Sequence, residues 1–120
     1  MSAALKPFAS DDRIELRRRL EARAERLRSE MAGAIRESIE GTPEGDPARD
    51  VRVSELERDA RELESVLDAL ARLDTPAFGR CAICGELIGR ARLFAQPDAS
   101  LCAPCARRRE EEAGASPANL

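Results

Sequence analysis

The sequence predicts a mostly α-helical chain: a long antiparallel two-helix coiled-coil hairpin, then a small four-cysteine finger with a short β-hairpin and a C-terminal helix. Three observations predict it. Two stretches carry apolar residues at alternating steps of three and four, the spacing of a heptad seam. A segment dense in turn-forming residues separates them. Two Cys-x-x-Cys pairs follow. Composition agrees. The 120 residues are 42% hydrophobic and 36% charged, with Phe8, Phe78 and Phe94 as the only aromatics and no His, Trp or Tyr. Such a chain has few bulky side chains for a thick core, and its charge content is that of exposed helices and coiled coils.

Residues 1–10 are expected to be a flexible arm and 11–75 the hairpin. Ser10 or Asp11 is placed to cap the first helix, with Asp11, Asp12 and Glu15 near its positive end. Leu20, Ala24, Leu27, Met31, Ala34 and Ser38 form its seam, with Leu16 and Ile35 beside it. Gly33 is a soft spot within it. The helix should stop at Gly41, and the tip lies at about 41–50. There Thr42-Pro43-Glu44-Gly45-Asp46-Pro47 combines turn formers with a start signal: Asp46 as N-cap, then proline at the first helical position. The second seam is Val53, Leu56, Ala60, Leu63, Leu67 and Leu70. Thr75-Pro76 ends it. A short loop between helices of similar length folds them back on each other. At 1.5 Å per residue, ~25 residues give a rod roughly 38 Å long.

Residues 76–112 hold the finger and its C-terminal helix, and 113–120 are expected to be a flexible tail. Cys81-Ala82-Ile83-Cys84 and Cys102-Ala103-Pro104-Cys105 are separated by 17 residues, a spacing that reads as a zinc site. Four thiolates at Cys81, Cys84, Cys102 and Cys105 would close a tetrahedral shell and leave no place for water or substrate, so the single zinc is structural. Disulfides or a redox switch are the competing use of these thiols, and oxidation can strip such a site. Gly85 suits the tight turn after the first pair. Residues 85–95 alternate as a short β-hairpin would, and 106–112 read as a helix.

Beyond the cysteines, Phe78, Gly79, Gly85, Ile88, Arg92, Leu93, Ala95 and Pro97 complete a pattern that resembles the DksA/TraR zinc-finger family over about residues 76–106. The preceding hairpin fits that family's architecture. The resemblance implies a bacterial transcription regulator that binds RNA polymerase rather than DNA. It implies that the hairpin tip enters the enzyme's secondary channel, that acidic tip residues act near the polymerase active site, and that the finger and C-terminal helix help dock it. The better-known members carry an Asp-Pro-x-Asp-Arg-like tip. Here the residues are Asp46-Pro47-Ala48-Arg49-Asp50. Asp46 matches the first aspartate, Arg49 stands where the second would be, and Asp50 falls one position later, rotated by ~100°. The candidate partner-contact residues are therefore Asp46, Asp50 and Glu44.

Other classes find less support. The net charge of -3 gives no strong pull toward nucleic acid. A nucleic-acid-binding zinc module would have to use Arg90, Arg92 and Arg107 to Arg109, with Phe94 as the one aromatic platform in the finger. A coiled-coil adaptor that pairs with a partner helix is the other alternative; the break at residues 41–47 favours pairing within the chain, hence a monomer. An enzyme is not expected, since the chain has no His, no Gly-rich phosphate loop and no open metal position. No apolar run approaches the ~20 residues that span a bilayer, and the first ten residues lack a signal peptide's pattern. The expected location is the cytoplasm, where thiols stay reduced. Lys6 is the lone lysine among 20 basic residues, a bias that fits a GC-rich bacterial genome.

Overall fold

The computed structural model describes residues 10–40 and 45–114. The described residues form four helices: α1 (Ser10–Glu40), α2 (Pro47–Arg72), α3 (Arg90–Ala95) and α4 (Ala103–Gly114). The arm expected at 1–10 lies outside the described residues except Ser10, which opens α1. The tail expected at 113–120 also lies outside them, except Ala113 and Gly114, which close α4.

The hairpin forms as the seams require. Asp46 is the N-cap of α2, with extended backbone, and its carboxylate accepts a hydrogen bond from the Ala48 N–H at 3.0 Å. Pro47 sits where its missing N–H costs nothing. Ion pairs give the direction of pairing: Arg17 to Asp74, Arg23 to Glu62, and Arg52 to Glu37 at 3.7 Å. Rising numbers on α1 meet falling numbers on α2, so the helices are antiparallel. The molecule is flat, 58 × 43 × 19 Å along its principal axes.

Two apolar clusters hold it. The stem cluster joins Leu20, Ala24 and Leu27 of α1 to Val66 and Ala69 of α2, flanked by Leu63 and Leu70. The base cluster joins Leu16 and Leu73 of the hairpin to Phe78, Ile88, Leu93, Ala99 and three of the cysteines. The first seam is as read: Leu16, Leu20, Ala24 and Leu27 are buried, and Met31, Ala34 and Ser38 half-buried. The second is rotated. Leu63 and Leu70 pack against the stem cluster and Leu56 is half-buried, but Val53, Ala60 and Leu67 are exposed, and Val66, Ala69 and Leu73 are buried in their stead. Apolar residues border the 56–63–70 line on both flanks. The base cluster chooses between them, because it pulls Leu73 beneath the finger and turns the helix with it.

The finger's β-hairpin shrinks to one antiparallel bridge, Arg80 with Leu87. Cys81 N–H donates to the Glu86 carbonyl at 2.8 Å, and Ile88 N–H to the Gly79 carbonyl at 2.7 Å. The pairing thus involves residues 79–81 and 86–88. The alternating stretch beyond it, Arg90–Ala95, is α3 instead. Its Arg, Ala and Leu residues are strong helix formers. Gly89, at φ 101°, provides the turn into it, and Pro97 follows its end. α3 places Leu93 in the core and leaves Phe94 between two guanidinium groups, Arg19 at 5.1 Å and Arg90 at 4.4 Å from the ring centroid.

Arginines on both sides of the joint fasten the finger to the rod. Arg13 donates to the Leu73 carbonyl and lies over the Phe78 ring. Arg19 donates to the Phe94 carbonyl at 3.2 Å. Arg90 reaches back to Asp12 through both Nε and Nη2 at 3.1 to 3.2 Å, the two-pronged geometry in which arginine excels. Among the described residues no helix is long and apolar enough to cross a membrane.

Candidate metal centre and hairpin tip

The four cysteines converge at the base of the rod. Cys81 and Cys84 lie on the turn of the finger's bridge. Gly85 N–H closes that turn onto the Cys81 carbonyl at 3.0 Å, and Gly85 itself sits at φ 76°, a conformation that excludes most side chains. Cys102 immediately precedes α4 and Cys105 lies in its first turn, with Ala106 N–H bonded to the Cys102 carbonyl at 2.9 Å. A hydrogen bond from Ala82 N–H to the Ser100 carbonyl, 2.8 Å, ties the two halves together. Cys81, Cys102 and Cys105 are buried and Cys84 is exposed.

The donor set fits zinc. All four Sγ atoms lie within 4.8 Å of one another, and Cys84 and Cys102 are separated by 3.7 Å. Tetrahedral zinc with bonds of ~2.3 Å holds its sulfurs ~3.8 Å apart. The thiols are free, not disulfide-bonded. Their acidities point the same way. Burial opposes ionisation of Cys81, but N–H groups of Cys84, Cys102 and Ile83 outweigh it and bring the thiol down to about 6. Hydrogen bonding with Cys102, then burial, then the Cys81 and Cys84 side chains push Cys105 up to about 12. One sulfur gives up its proton readily and another resists further charge. A divalent cation removes that conflict by neutralising the collected thiolates.

At the far end, Asp46 caps α2 and Asp50 lies exposed in its first turn. Arg49 between them is half-buried. Glu44, the third expected tip residue, lies outside the described residues. Charge is not the tip's only feature: Ile35, Ile39, Val51 and Val53 are exposed close to it, Ile39 by 78%. Sequence reading found the heptad seams but passed over Ile39 and Val51. The signal was there, since both are β-branched apolar residues off either seam.

A slender helical hairpin closed at its base by a C4 finger defines the class. Residues 76–111 match the prokaryotic dksA/traR C4-type zinc finger. The chain is 43% identical over 49 residues to the RNA polymerase-binding transcription factor DksA of Haemophilus influenzae, a stretch covering 41% of this chain and 34% of that protein. The match thus spans about a third of that relative's length. The structure of transcription factor DksA2 from Pseudomonas aeruginosa is similar over 85% of both chains, with 28% identity and a TM-score of 0.70. These findings support the DksA/TraR family for this chain, as its finger residues had implied.

Proposed function

We propose that this chain is a bacterial transcription regulator that binds RNA polymerase, inserts its hairpin tip into the enzyme's secondary channel, and does not read DNA sequence. One observation carries the reading: a thin two-helix rod, with carboxylates at one end and a C4 finger at the other, shares its shape with DksA2 over 85% of its length. A rod of two helices enters a passage that a globular domain does not. In this reading Cys81, Cys84, Cys102 and Cys105 hold the zinc, which supplies no chemistry beyond fixing the finger. Asp46 and Asp50, with Glu44, contact the polymerase. The chain acts as a monomer in the cytoplasm and catalyses nothing; its relatives are named as transcription factors.

The nucleic-acid alternative loses two of its residues. Arg90 is engaged by Asp12 and the Phe94 ring, and Arg92 donates to the Leu101 carbonyl at 3.0 Å. Phe94 is already covered by arginines, and Phe78, the finger's other aromatic, is buried.

The test is capture of core RNA polymerase at near-physiological salt, followed by transcription in vitro with wild type and Asp46→Asn. Asparagine caps a helix about as well as aspartate, so this substitution removes charge and keeps the tip folded. Both proteins should bind polymerase and retain zinc, and Asp46→Asn should alter transcript yield. Absence of binding by the wild type overturns the reading.

A further inference from the structure

We propose that Arg23 is a positioning residue that sets the angle between the rod and the finger. The joint invites such a device. Neither α3 nor α4 packs along the rod in the way α1 and α2 pack on each other, so side chains must hold the finger's orientation. The apolar part of the joint gathers around Leu16, Leu73 and Phe78. A contact at one end of a rod resists separation but resists swinging poorly. Resistance to swinging needs a second attachment some distance along the rod.

Arg23 provides it. Its Nη1 donates to Asp98 Oδ1 at 3.2 Å, and its Nη2 to Glu62 Oε1. One guanidinium thus joins α1, α2 and the loop that follows α3. The Arg23 side chain is 28% exposed and that of Asp98 11%. Such pairs are screened far less than surface pairs, and losing one partner leaves a nearly dehydrated charge. The first attachment, Arg90 to Asp12, lies eleven residues earlier on α1, or ~16 Å along its axis. These ties bracket α3, one on Arg90 at its start and one on Asp98 just beyond its end, with the Arg19 bond to the Phe94 carbonyl between them. The Asp98 loop is itself braced, by the Ala99 N–H to Gln96 carbonyl bond at 3.0 Å and by Arg92 on Leu101, and it leads directly to Cys102. A pull at Asp98 is therefore transmitted to the metal-binding half of the finger. The value of a fixed angle, that tip and finger meet one partner at once, rests on the polymerase reading. The joint itself does not.

The experiment measures a distance on the free, zinc-loaded chain. Spin labels are attached through unnatural amino acids at Ala48, near the tip, and Arg109, on α4, so that the cysteines stay untouched. Arg23→Met and Asp98→Asn should each shift and broaden the label-to-label distance distribution, with zinc content and helicity at wild-type values. The double variant should move it no further than either single one, as two halves of one interaction require. Arg18→Met, which breaks an ion pair within α1 only, should leave the distance unchanged. Wild-type distributions in both single variants, or effects that add in the double one, overturn the proposal. The isosteric Asp98→Asn keeps the test decisive if Arg23→Met loses zinc. A shifted distance in the variants together with no capture of polymerase by the wild type upholds the joint and overturns the polymerase reading.

Discussion

Glu15 accepts hydrogen bonds from Arg18 at 2.7 and 3.0 Å and from Arg19 at 3.0 Å. These two donors hold its carboxyl down from the ordinary 4.5 to about 2. The folded chain therefore binds this proton less tightly than the unfolded one. The resulting stabilisation is complete above the unfolded value near 4.5 and is lost as pH falls through about 2. The group is on the surface, so solvent and salt keep the effect small. Glu15→Gln should lower the melting temperature slightly and by a constant amount between pH 7 and 5, and the gap to wild type should narrow below about 4.5. Thermal melts across that range check it, and a gap that widens in acid contradicts it. Residues whose role is local were legible in the sequence. Asp46 before Pro47 announces a cap because the capping bond spans only two residues. The cysteine quartet was legible because ligand spacing is fixed by the metal. The arginine contacts were not. Arg13, Arg17, Arg19 and Arg23 find partners 39 to 75 residues away, and charge on a helix looks the same in sequence whether it meets water or a neighbouring segment.

Among the elements, α2 shows where periodicity stops deciding. Its heptad pattern established that it is a helix with an apolar stripe, and three of the six seam residues, Leu56, Leu63 and Leu70, are half-buried, the last two against the stem cluster. Rotation of the stripe by one residue was left to tertiary structure, because Val66 and Leu67 are nearly equivalent as sequence. α3 fell to the same ambiguity at shorter range: six residues of mixed polarity fit strand or helix, and the Gly89 turn with Leu93 in the core settled it. The rotation gives a paired prediction. Val66 is fully buried, and Leu67 is 38% exposed. Val66→Ala removes two buried carbons and should cost about 2 kcal/mol, at ~0.8 kcal/mol per buried methylene plus a cavity. Leu67→Ala, though it removes the larger side chain, should cost no more than about 0.5 kcal/mol. Urea unfolding of both variants checks the order. The opposite order would restore the seam read from periodicity.

For the whole molecule, the question is what remains when zinc leaves. Full burial of a large aliphatic side chain contributes about 1.5 to 3 kcal/mol. The stem cluster has three such residues, Leu20, Leu27 and Val66, with Ala24 and Ala69. The base cluster has Leu16, Leu73, Phe78, Ile88 and Leu93, and its remaining buried members include three of the four zinc-site cysteines. The larger share of the core is thus assembled around the metal site. Structural zinc binds with about 10 to 16 kcal/mol, comparable to the total stability of an ordinary domain, about 5 to 15 kcal/mol. Without the ion, the finger has no adequate core, and Leu16 and Leu73 lose their cover. The stem must then hold 26 residues of α2 against 31 of α1 with a thin seam, against an ordering cost of about 1 to 2 kcal/mol per backbone residue. Removal of zinc by a strong chelator under reducing conditions should therefore abolish most helicity, not only that of α3 and α4, in a single transition. Circular dichroism during chelation, with zinc release followed by an indicator, measures both at once. Helicity that falls only by the share of the two short helices would mean that the rod stands alone and that the finger is merely attached to it. Readdition of zinc should restore the whole signal, because the metal supplies the tie on which the base of the rod depends.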